Sequence, residues 1–183
     1  FDIADVNQSA SRFDFAKLGW LNQQYLKNDN PLEVARELAW HLDRFGIDPS
    51  AGGPCPVDVV VALRDRVQTL KEMAERAKIW YAPIAQWDEK AVAKHLRAEG
   101  AADVLRAAHA KFASLDDWSP AGIHVAIEQL ASECGVGMGK VAQPLRVAIT
   151  GTQVSPSIEH TIYLAGRDEA LRRIENAVQR ASN

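Results

Sequence analysis

Apolar residues recur at intervals of three and four along most of the chain, which is the spacing of one face of a helix. Only the first 14 residues alternate loosely between polar and apolar positions, and we expect a loop-rich lead-in there. No convincing strand pattern follows, so the predicted fold class is all-α. The predicted helices cover residues 15–26, 31–45, 57–66, 70–80, 89–99, 102–112, 120–134, 158–164 and 167–180, with one short helix between Pro144 and Gly151.

Capping residues mark several of these helix boundaries. Asn30 precedes Pro31, which suits the first position of a helix, and Thr69 stands three residues before Glu72 in a capping-box spacing. Ser119 precedes a proline in the same way. Ala82-Pro83 is the best candidate for a boundary between two helical parts. We therefore predict a lead-in over residues 1–30 and two helical subdomains over residues 31–86 and 87–183.

Composition describes an ordinary globular chain without a global charge signal. The 183 residues are 47% hydrophobic and 25% charged, with a formal net charge of −3. Any contact with nucleic acid must therefore come from a local basic face. No apolar run is long enough to span a membrane, and there is no signal-peptide pattern. The scarcity of cysteine fits a reducing cytosol, so we expect a cytoplasmic protein.

The sequence offers no convincing catalytic or metal-binding constellation. Cys55 and Cys134 lie far apart without the spacing of a zinc site. The histidines are scattered, and the spacing of His124 and Glu128 fits a surface contact better than a ligand pair. Lys140 follows glycines but lacks the rest of a Walker loop, and no nucleophile elbow occurs. We expect no catalytic residue, no metal and no cofactor in this chain.

The segment 136–157 differs from the amphipathic helices around it. Pro144 favours a kink or a helix start, and Gly151 favours a left-handed helix end. A short helix between these breaks would hold Arg146 with the hydroxyls of Thr150 and Ser155 on one rigid ledge. The alternative is an ordinary helical corner with a solvated arginine.

Two basic corners at helix ends are the best candidates for binding. One contains Arg64, Arg66 and Lys71, and the other runs from Lys140 to Ser155. Free backbone N–H groups and planar guanidinium groups at such ends suit phosphates and unstacked RNA bases. The alternatives are solvated helix termini, or a protein–protein adaptor that uses an apolar surface.

Several stretches of the sequence are similar to one known family. They are an opening block (Phe1-Asp-Ile3, Val6-Asn-Gln-Ser9, Ser11-Arg-Phe-Asp14 and Lys17-Leu-Gly-Trp-Leu-Asn22), two internal stretches (Arg66-Val-Gln-Thr-Leu-Lys-Glu72 and Gly139-Lys-Val-Ala-Gln-Pro-Leu-Arg-Val-Ala-Ile-Thr-Gly151) and two closing stretches (Leu164-Ala-Gly166 and Leu171-Arg-Arg-Ile174). Together they resemble bacterial glutamyl-tRNA synthetases, and the resemblance covers essentially the whole chain. The opening block is similar to the segment that follows the catalytic core in that family, the internal stretches to its anticodon-binding region, and the closing stretches to its last helix.

The resemblance implies that this chain binds the anticodon loop of tRNA-Glu. It assigns Arg66 to the third anticodon base, a cytosine, and Arg146 to an anticodon contact. It also places Ser155, Pro156 and Ile158 in a turn against the anticodon bases, where Ile158 would offer a stacking surface. Ser157 departs from the glycine expected in that turn.

The same resemblance implies what the chain lacks. The class I signature motifs of the family do not occur, so the catalytic domain, with its ATP and Mg²⁺, is expected upstream of Phe1. We therefore interpret the chain as a piece of a longer ligase and expect a monomer. Its expected partners are the anticodon loop and its own upstream catalytic domain. The complete set of predicted RNA-binding residues is Arg64, Arg66, Lys71, Arg146, Thr150, Ser155, Pro156 and Ile158.

Overall fold

The computed structural model describes residues 14–181, and these residues form helices joined by turns, without a strand. The all-α prediction is confirmed. Residues 1–13 of the predicted lead-in lie outside the described residues, and the rest of it contains a helix. The helices are α1 (Phe15–Asn28), α2 (Pro31–Asp43), α3 (Pro56–Leu63), α4 (Leu70–Tyr81), α5 (Glu89–Ala91, continued by a π-helical segment over Val92–Leu96), α6 (Ala101–Ala113), α7 (Pro120–Glu133), α8 (Met138–Thr150), α9 (Ile158–Ala165) and α10 (Arg167–Ala181).

The predicted starts of α2 and α4 are confirmed by side-chain hydrogen bonds. The side chain of Asn30 accepts the amide of Leu32 at 3.0 Å, directly before Pro31 at the head of α2. The hydroxyl of Thr69 accepts the amide of Glu72 at 3.1 Å, so Thr69 caps α4 as predicted, while the Glu72 carboxylate accepts the amide of Gln68 at 2.9 Å rather than that of Thr69. Local capping chemistry therefore sets these boundaries.

The prediction of a short helix beginning near Pro144 is wrong. Helix α8 runs without interruption from Met138 to Thr150 and contains Pro144 in its interior. The proline removes only the amide that would bond to the carbonyl of Lys140, an exposed residue near the start of the helix. The proline ring is itself buried, and Val141 and Leu145 beside it are fully buried. Tertiary packing therefore outweighs the local tendency of proline to break a helix.

Two other predicted helices end three residues earlier than predicted. The helix predicted over 57–66 ends at Leu63, because the chain turns there and the amide of Arg66 bonds back to the carbonyl of Leu63 at 2.8 Å. The helix predicted over 89–99 passes into the π-helical segment after Ala91 and ends at Leu96, where the amide of Arg97 bonds to the carbonyl of Val92 at 3.1 Å.

The buried apolar side chains of the described residues form two clusters. The first lies among α1 to α4 and includes Leu38, Leu63 and Met73, and the second lies among α5 to α10 and includes Phe112 and Ile149. Helix α9 contributes to both clusters, since Leu164 belongs to the first and Ile158 and Ile162 belong to the second. The exact domain limits at residues 30 and 86 stay a prediction.

Arg173 on α10 connects the two clusters through backbone carbonyls. Its guanidinium donates to the carbonyls of Ile79 (2.7 Å), Ala82 (3.1 Å) and Ile149 (2.6 Å), and its Nε donates to Glu169 (2.5 Å). The Arg173 side chain is only 3% exposed, so these bonds form in a setting of reduced screening by water. One side chain thus ties the ends of α4 and α8 to α10.

Candidate nucleic-acid interface

Arg146 holds the turn between α8 and α9 from the inside. One terminal nitrogen of its guanidinium lies within hydrogen-bonding distance of the Ser155 carbonyl (3.0 Å), the Ser155 hydroxyl (2.8 Å) and the Pro156 carbonyl (2.7 Å). Its Nε is buried and makes no hydrogen bond within the described part of the chain. Arg146 is therefore a clamp on the turn rather than the solvated surface charge of the alternative prediction.

The charge of this clamp is influenced by a second arginine. Burial lowers the pKa of the Arg146 guanidinium, and the positive charge of Arg66 lowers it further, while Glu159 raises it. An arginine pKa lies so far above neutrality that the group stays charged at physiological pH. Arg66 and Ser157 line the same cavity, and Arg146 bonds to the carbonyl of Pro156 directly before Ser157, so the two cations lie near a common region.

Thr150 and Gly151 end α8 in a fixed geometry. The Thr150 hydroxyl lies 2.8 Å from the carbonyl of Arg146 and accepts the amide of Thr152 at 3.2 Å. Gly151 has a φ of +74°, which is the left-handed conformation predicted for it. A Cβ at Gly151 would lie 2.6 Å from the Cγ2 of Ile84, so the turn packs closely against the segment that precedes α5.

The far side of the turn is joined to α9 by hydroxyl groups. The hydroxyls of Ser155 and Thr161 are 3.0 Å apart, and the Thr161 hydroxyl donates to the carbonyl of Ser157 at 2.9 Å. The Ser157 hydroxyl in turn lies 2.8 Å from Nδ1 of His160. This chain of contacts fixes the side of the turn that faces Arg66.

Arg66 lies across a shallow cavity from this turn. The cavity has a volume of about 440 Å³, and we call it the reading cleft. Arg66 is exposed and, among the described residues, makes no hydrogen bond or ion pair through its side chain. Its position is set by its neighbour Val67, which is only 1% exposed, and by the Thr69 cap that follows. The reading cleft is lined by Val61, Ala62, Asp65, Arg66, Ser157 and His160.

The carboxylate of Glu159 supplies the balancing negative charge near the cleft. Burial opposes ionisation, but a backbone amide, the Ser157 hydroxyl and electrostatic interactions with His160 and His124 together keep the pKa of Glu159 below its usual range. Glu159 is therefore ionised at neutral pH. Its negative charge partly balances that of the half-buried Arg146 guanidinium.

The structure brings some of the predicted RNA-binding residues together and separates others. Arg66, Arg146 and Ser155 surround the reading cleft or its supporting turn. Arg64 is half-buried and Lys71 is exposed, and neither lines this cleft. RNA binding by any of these side chains stays a prediction.

Pro156, Ile158 and Thr150 are buried, with Ile158 6% exposed and Thr150 4% exposed. The stacking surface expected at Ile158 is therefore not open in this structure, because the side chain packs into the core beneath the turn. These three residues shape the turn rather than present themselves to solvent.

Sequence reasoning missed Ser157 and His160 as lining residues of the reading cleft. In the sequence, Ser157 stands out only as a departure from glycine, and His160 only as one of several scattered histidines. Their separation of three residues at the start of α9 was the available clue, because it places the two side chains on one helix face. In the described residues there is no cluster of three potential metal ligands, and no helix is long and apolar enough to cross a membrane.

A comparison with known families places this helical chain in the class of anticodon-binding domains. A family model described as "Anticodon binding domain" matches residues 21–178, and the chain belongs to that family.

The curated relatives are glutamate–tRNA ligases. The one from Xylella fastidiosa strain M12 is 57% identical over 182 residues, and the one from Stenotrophomonas maltophilia strain R551-3 is 53% identical. Each alignment covers 100% of this chain and 38% of the relative, so the chain spans well under half the length of these proteins.

A solved structure supports the same fold. The crystal structure of a glutamate tRNA ligase from Elizabethkingia meningosepticum in complex with its amino acid matches with a TM-score of 0.83 and 26% identity. The match covers 98% of this chain and 35% of that one. The resemblance to glutamyl-tRNA synthetases is thereby confirmed, and nothing in these comparisons favours the adaptor alternative.

Proposed function

We propose that this chain recognises the anticodon loop of tRNA-Glu as one part of a longer glutamate–tRNA ligase. The support is the anticodon-binding family match together with relatives of that name, of which the chain spans 38%. On this proposal ATP, Mg²⁺ and glutamate are bound by the rest of the ligase. This chain then binds the anticodon loop of the tRNA. We expect the ligase to be a monomer in the cytoplasm.

The observation that carries the proposal is the guanidinium of Arg66, which has no partner among the described residues and lies at the reading cleft opposite a turn clamped by Arg146. A splayed cytosine presents two neighbouring acceptors, N3 and O2, and a planar guanidinium donates to such a pair. A uracil at the same position carries an N–H at N3, which would face another N–H. Arg66 therefore favours cytosine by hydrogen-bonding chemistry.

Arg146 contributes by pre-forming the opposite wall of the cleft. Its bonds to the Ser155 and Pro156 carbonyls hold the turn before RNA arrives, so less conformational entropy is lost on binding. Loss of this clamp is expected to weaken binding of every loop. Loss of Arg66 is expected to reduce the preference between loops.

The exposed apolar side chains of α1 support the existence of the rest of the ligase as a partner. Leu18, Leu21 and Tyr25, which recur at intervals of three and four on one side of the helix, are 48%, 43% and 61% exposed. Large apolar groups on one helix face are typical of a surface that another protein part covers. We assign this face of α1 to contact with the remaining part of the ligase, since the chain spans only 38% of its relatives.

The test is binding of two tRNA-Glu anticodon stem-loops, one with cytosine and one with uracil as the third anticodon base. The unmodified chain should prefer the cytosine loop by roughly 5- to 100-fold, the range of a bidentate base contact. Arg66→Gln should lose most of this preference while its urea unfolding midpoint stays unchanged.

Arg36→Gln is the matched control. Arg36 is an exposed arginine on α2 that pairs with Glu33, so the variant removes the same charge far along the chain from the cleft. It should keep the preference for cytosine. Absence of any preference in the unmodified chain would overturn the proposed function.

A further inference from the structure

A second cavity of the described chain has a charged lining made entirely of arginine. It lies between α10, the segment that precedes α5 and the residue after the π-helical segment, and its volume is about 500 Å³. Amide side chains and a half-buried tryptophan complete its wall, and no carboxylate lines it. We call it the arginine cavity, and its principal residues are Trp87, Arg97, Arg172, Arg173, Asn176 and Arg180.

The cavity has a rigid floor, because Arg173 is buried and fixed by the carbonyls of Ile79, Ala82 and Ile149. Such carbonyls attract the positive charge but carry no full negative charge to neutralise it. Glu169 is the single carboxylate bonded to Arg173 within the described residues, and it also holds Arg172 with two bonds of 2.7 Å. One carboxylate therefore serves two guanidinium groups, which leaves a net positive charge.

The rim of the cavity is positive as well. The guanidinium carbon of Arg180 lies 4.8 Å from the centre of the Trp87 ring, and its ion pair with Glu89 is loose at 3.7 Å. Stacking on the ring orients Arg180 without neutralising it. This geometry leaves guanidinium N–H groups available at the mouth of the cavity.

Arg97 stands at the rim without a counter-charge. It is exposed and its side chain makes no hydrogen bond or ion pair within residues 14–181. Its place follows from the π-helical segment, whose wider turn closes with the bond from the Arg97 amide to the Val92 carbonyl. Insertions of this kind in helices often occur at functional sites, because they redirect the side chains that follow.

Four arginines and two amide side chains around one cavity are suited to an anion with several oxygen acceptors. A phosphate group matches this set, because guanidinium groups bind its oxygens in pairs. The chain as a whole has a net charge of −3, so this concentration of positive charge is local and opposite in sign to the net charge of the chain. The volume exceeds what a lone phosphate needs and leaves room for the sugars on either side of a phosphodiester.

The arginine cavity adjoins the structure that supports the reading cleft. Its floor residue Arg173 bonds to the carbonyl of Ile149, which is three residues beyond Arg146 on α8, or about 4.5 Å along the helix axis. Its wall segment packs on Gly151 through Ile84, and the Asp88 amide bonds to the Gly151 carbonyl at 2.9 Å. Helix α8 therefore links the two sites within its last turn.

We propose that the arginine cavity binds a backbone phosphate of the RNA whose base is read in the reading cleft. The proposal rests on the proposed function for the identity of the RNA. The cavity adds affinity without base preference, since a phosphate carries no sequence information.

The test compares Arg97→Gln, Arg180→Gln and the double variant with Arg36→Gln for binding of the two anticodon stem-loops across a salt series. The double variant should bind both loops about tenfold more weakly, which is the effect expected for removal of a charge-assisted hydrogen bond. The plot of log affinity against log salt has a negative slope. That slope should become shallower by about 0.7 for each phosphate that the variant no longer neutralises. The Arg36→Gln variant should match the unmodified chain, and the unfolding midpoints should show that all variants fold.

Stem-loops with one neutral methylphosphonate linkage identify the phosphate. At one position the neutral linkage should weaken binding to the unmodified chain as much as the double variant does. It should weaken binding to the double variant no further.

The outcomes separate the two proposals. Double-variant affinities and salt slopes equal to those of Arg36→Gln would overturn the cavity proposal, even where Arg66→Gln loses the preference for cytosine. Equally weakened binding of both loops, with no preference for cytosine in the unmodified chain, would support the cavity and overturn the proposed function. Failure of the unmodified chain to bind either loop at low salt would overturn both.

Discussion

The indole N–H of Trp80 donates a hydrogen bond of 3.1 Å to the backbone carbonyl of Thr161. Trp80 belongs to α4 and the first cluster, whereas Thr161 belongs to α9 and contacts the turn clamped by Arg146. This bond therefore fixes the two walls of the reading cleft relative to each other, since Arg66 precedes α4 and Ser157 precedes α9.

Trp80→Phe should destabilise the chain by about 2 kcal/mol, because it removes a buried hydrogen bond and leaves a small void. Trp80 is only 4% exposed, so water cannot easily replace the missing donor. The measurement is the urea unfolding midpoint. Trp40→Phe is the control because Trp40 is 58% exposed, and its midpoint should change little. Equal shifts in the two variants would contradict this role of Trp80.

Gly46 and Gly151 share a backbone conformation but differ in their surroundings. Alanine variants of the two therefore distinguish backbone strain from steric clash. Gly46 and Gly151 have φ values of +70° and +74°. An added Cβ meets nothing within 4 Å at Gly46, but at Gly151 it would lie 2.6 Å from Ile84. Gly46→Ala should therefore cost about 1 kcal/mol from backbone strain alone, and Gly151→Ala about 3 kcal/mol from strain and displacement of Ile84.

Urea unfolding of the two glycine variants provides the comparison. A second variant, Gly151→Ala combined with Ile84→Ala, should recover part of the additional destabilisation because it removes the clashing methyl group. Equal losses of unfolding free energy in Gly46→Ala and Gly151→Ala would contradict this prediction, because they would mean that Ile84 moves aside from the new Cβ without a measurable cost.

The helix boundaries were predictable where local chemistry decides them. The caps at Asn30 and Thr69 form because a side-chain oxygen meets an amide only two or three residues away. The prediction at Pro144 failed because the same local logic ignores the buried packing of α8 on its neighbours. Local signals thus predict where many helices begin, while packing decides whether an unfavourable residue is tolerated.

The candidate site was only partly predictable for a related reason. Arg66 and Arg146 stood out in the sequence as members of two basic corners, and the resemblance assigned them to the anticodon. The turn around Gly151 was predicted from its glycine. Arg173 gave no sequence clue, because its partner Ile79 is 94 residues away and is contacted through the backbone, which carries no side-chain signature. Long-range contacts to carbonyls become visible only in the folded chain.

Glu169 supports the floor of the arginine cavity through its bonds to Arg172 and Arg173. The pKa of Glu169 lies below its ordinary value of 4.5. Hydrogen bonds from Arg172 lower it most, the bond and charge of Arg173 lower it further, and burial opposes this shift. The folded state thus binds a proton at Glu169 less readily than the unfolded state does. The resulting stabilisation is present above pH 4.5 and is lost as the pH falls through the folded-state pKa.

Glu169→Gln should accordingly unfold at lower urea than the unmodified chain at pH 7, by an amount on the order of 1 kcal/mol, since Arg173 loses its charged partner. The difference between the two proteins should shrink as the pH is lowered below 4.5. Glu175→Gln is the control, because Glu175 is exposed on the same helix and makes no ion pair among the described residues. A difference at Glu169 that stays constant from pH 7 to pH 3 would mean that the carboxylate acts through packing rather than through its charge.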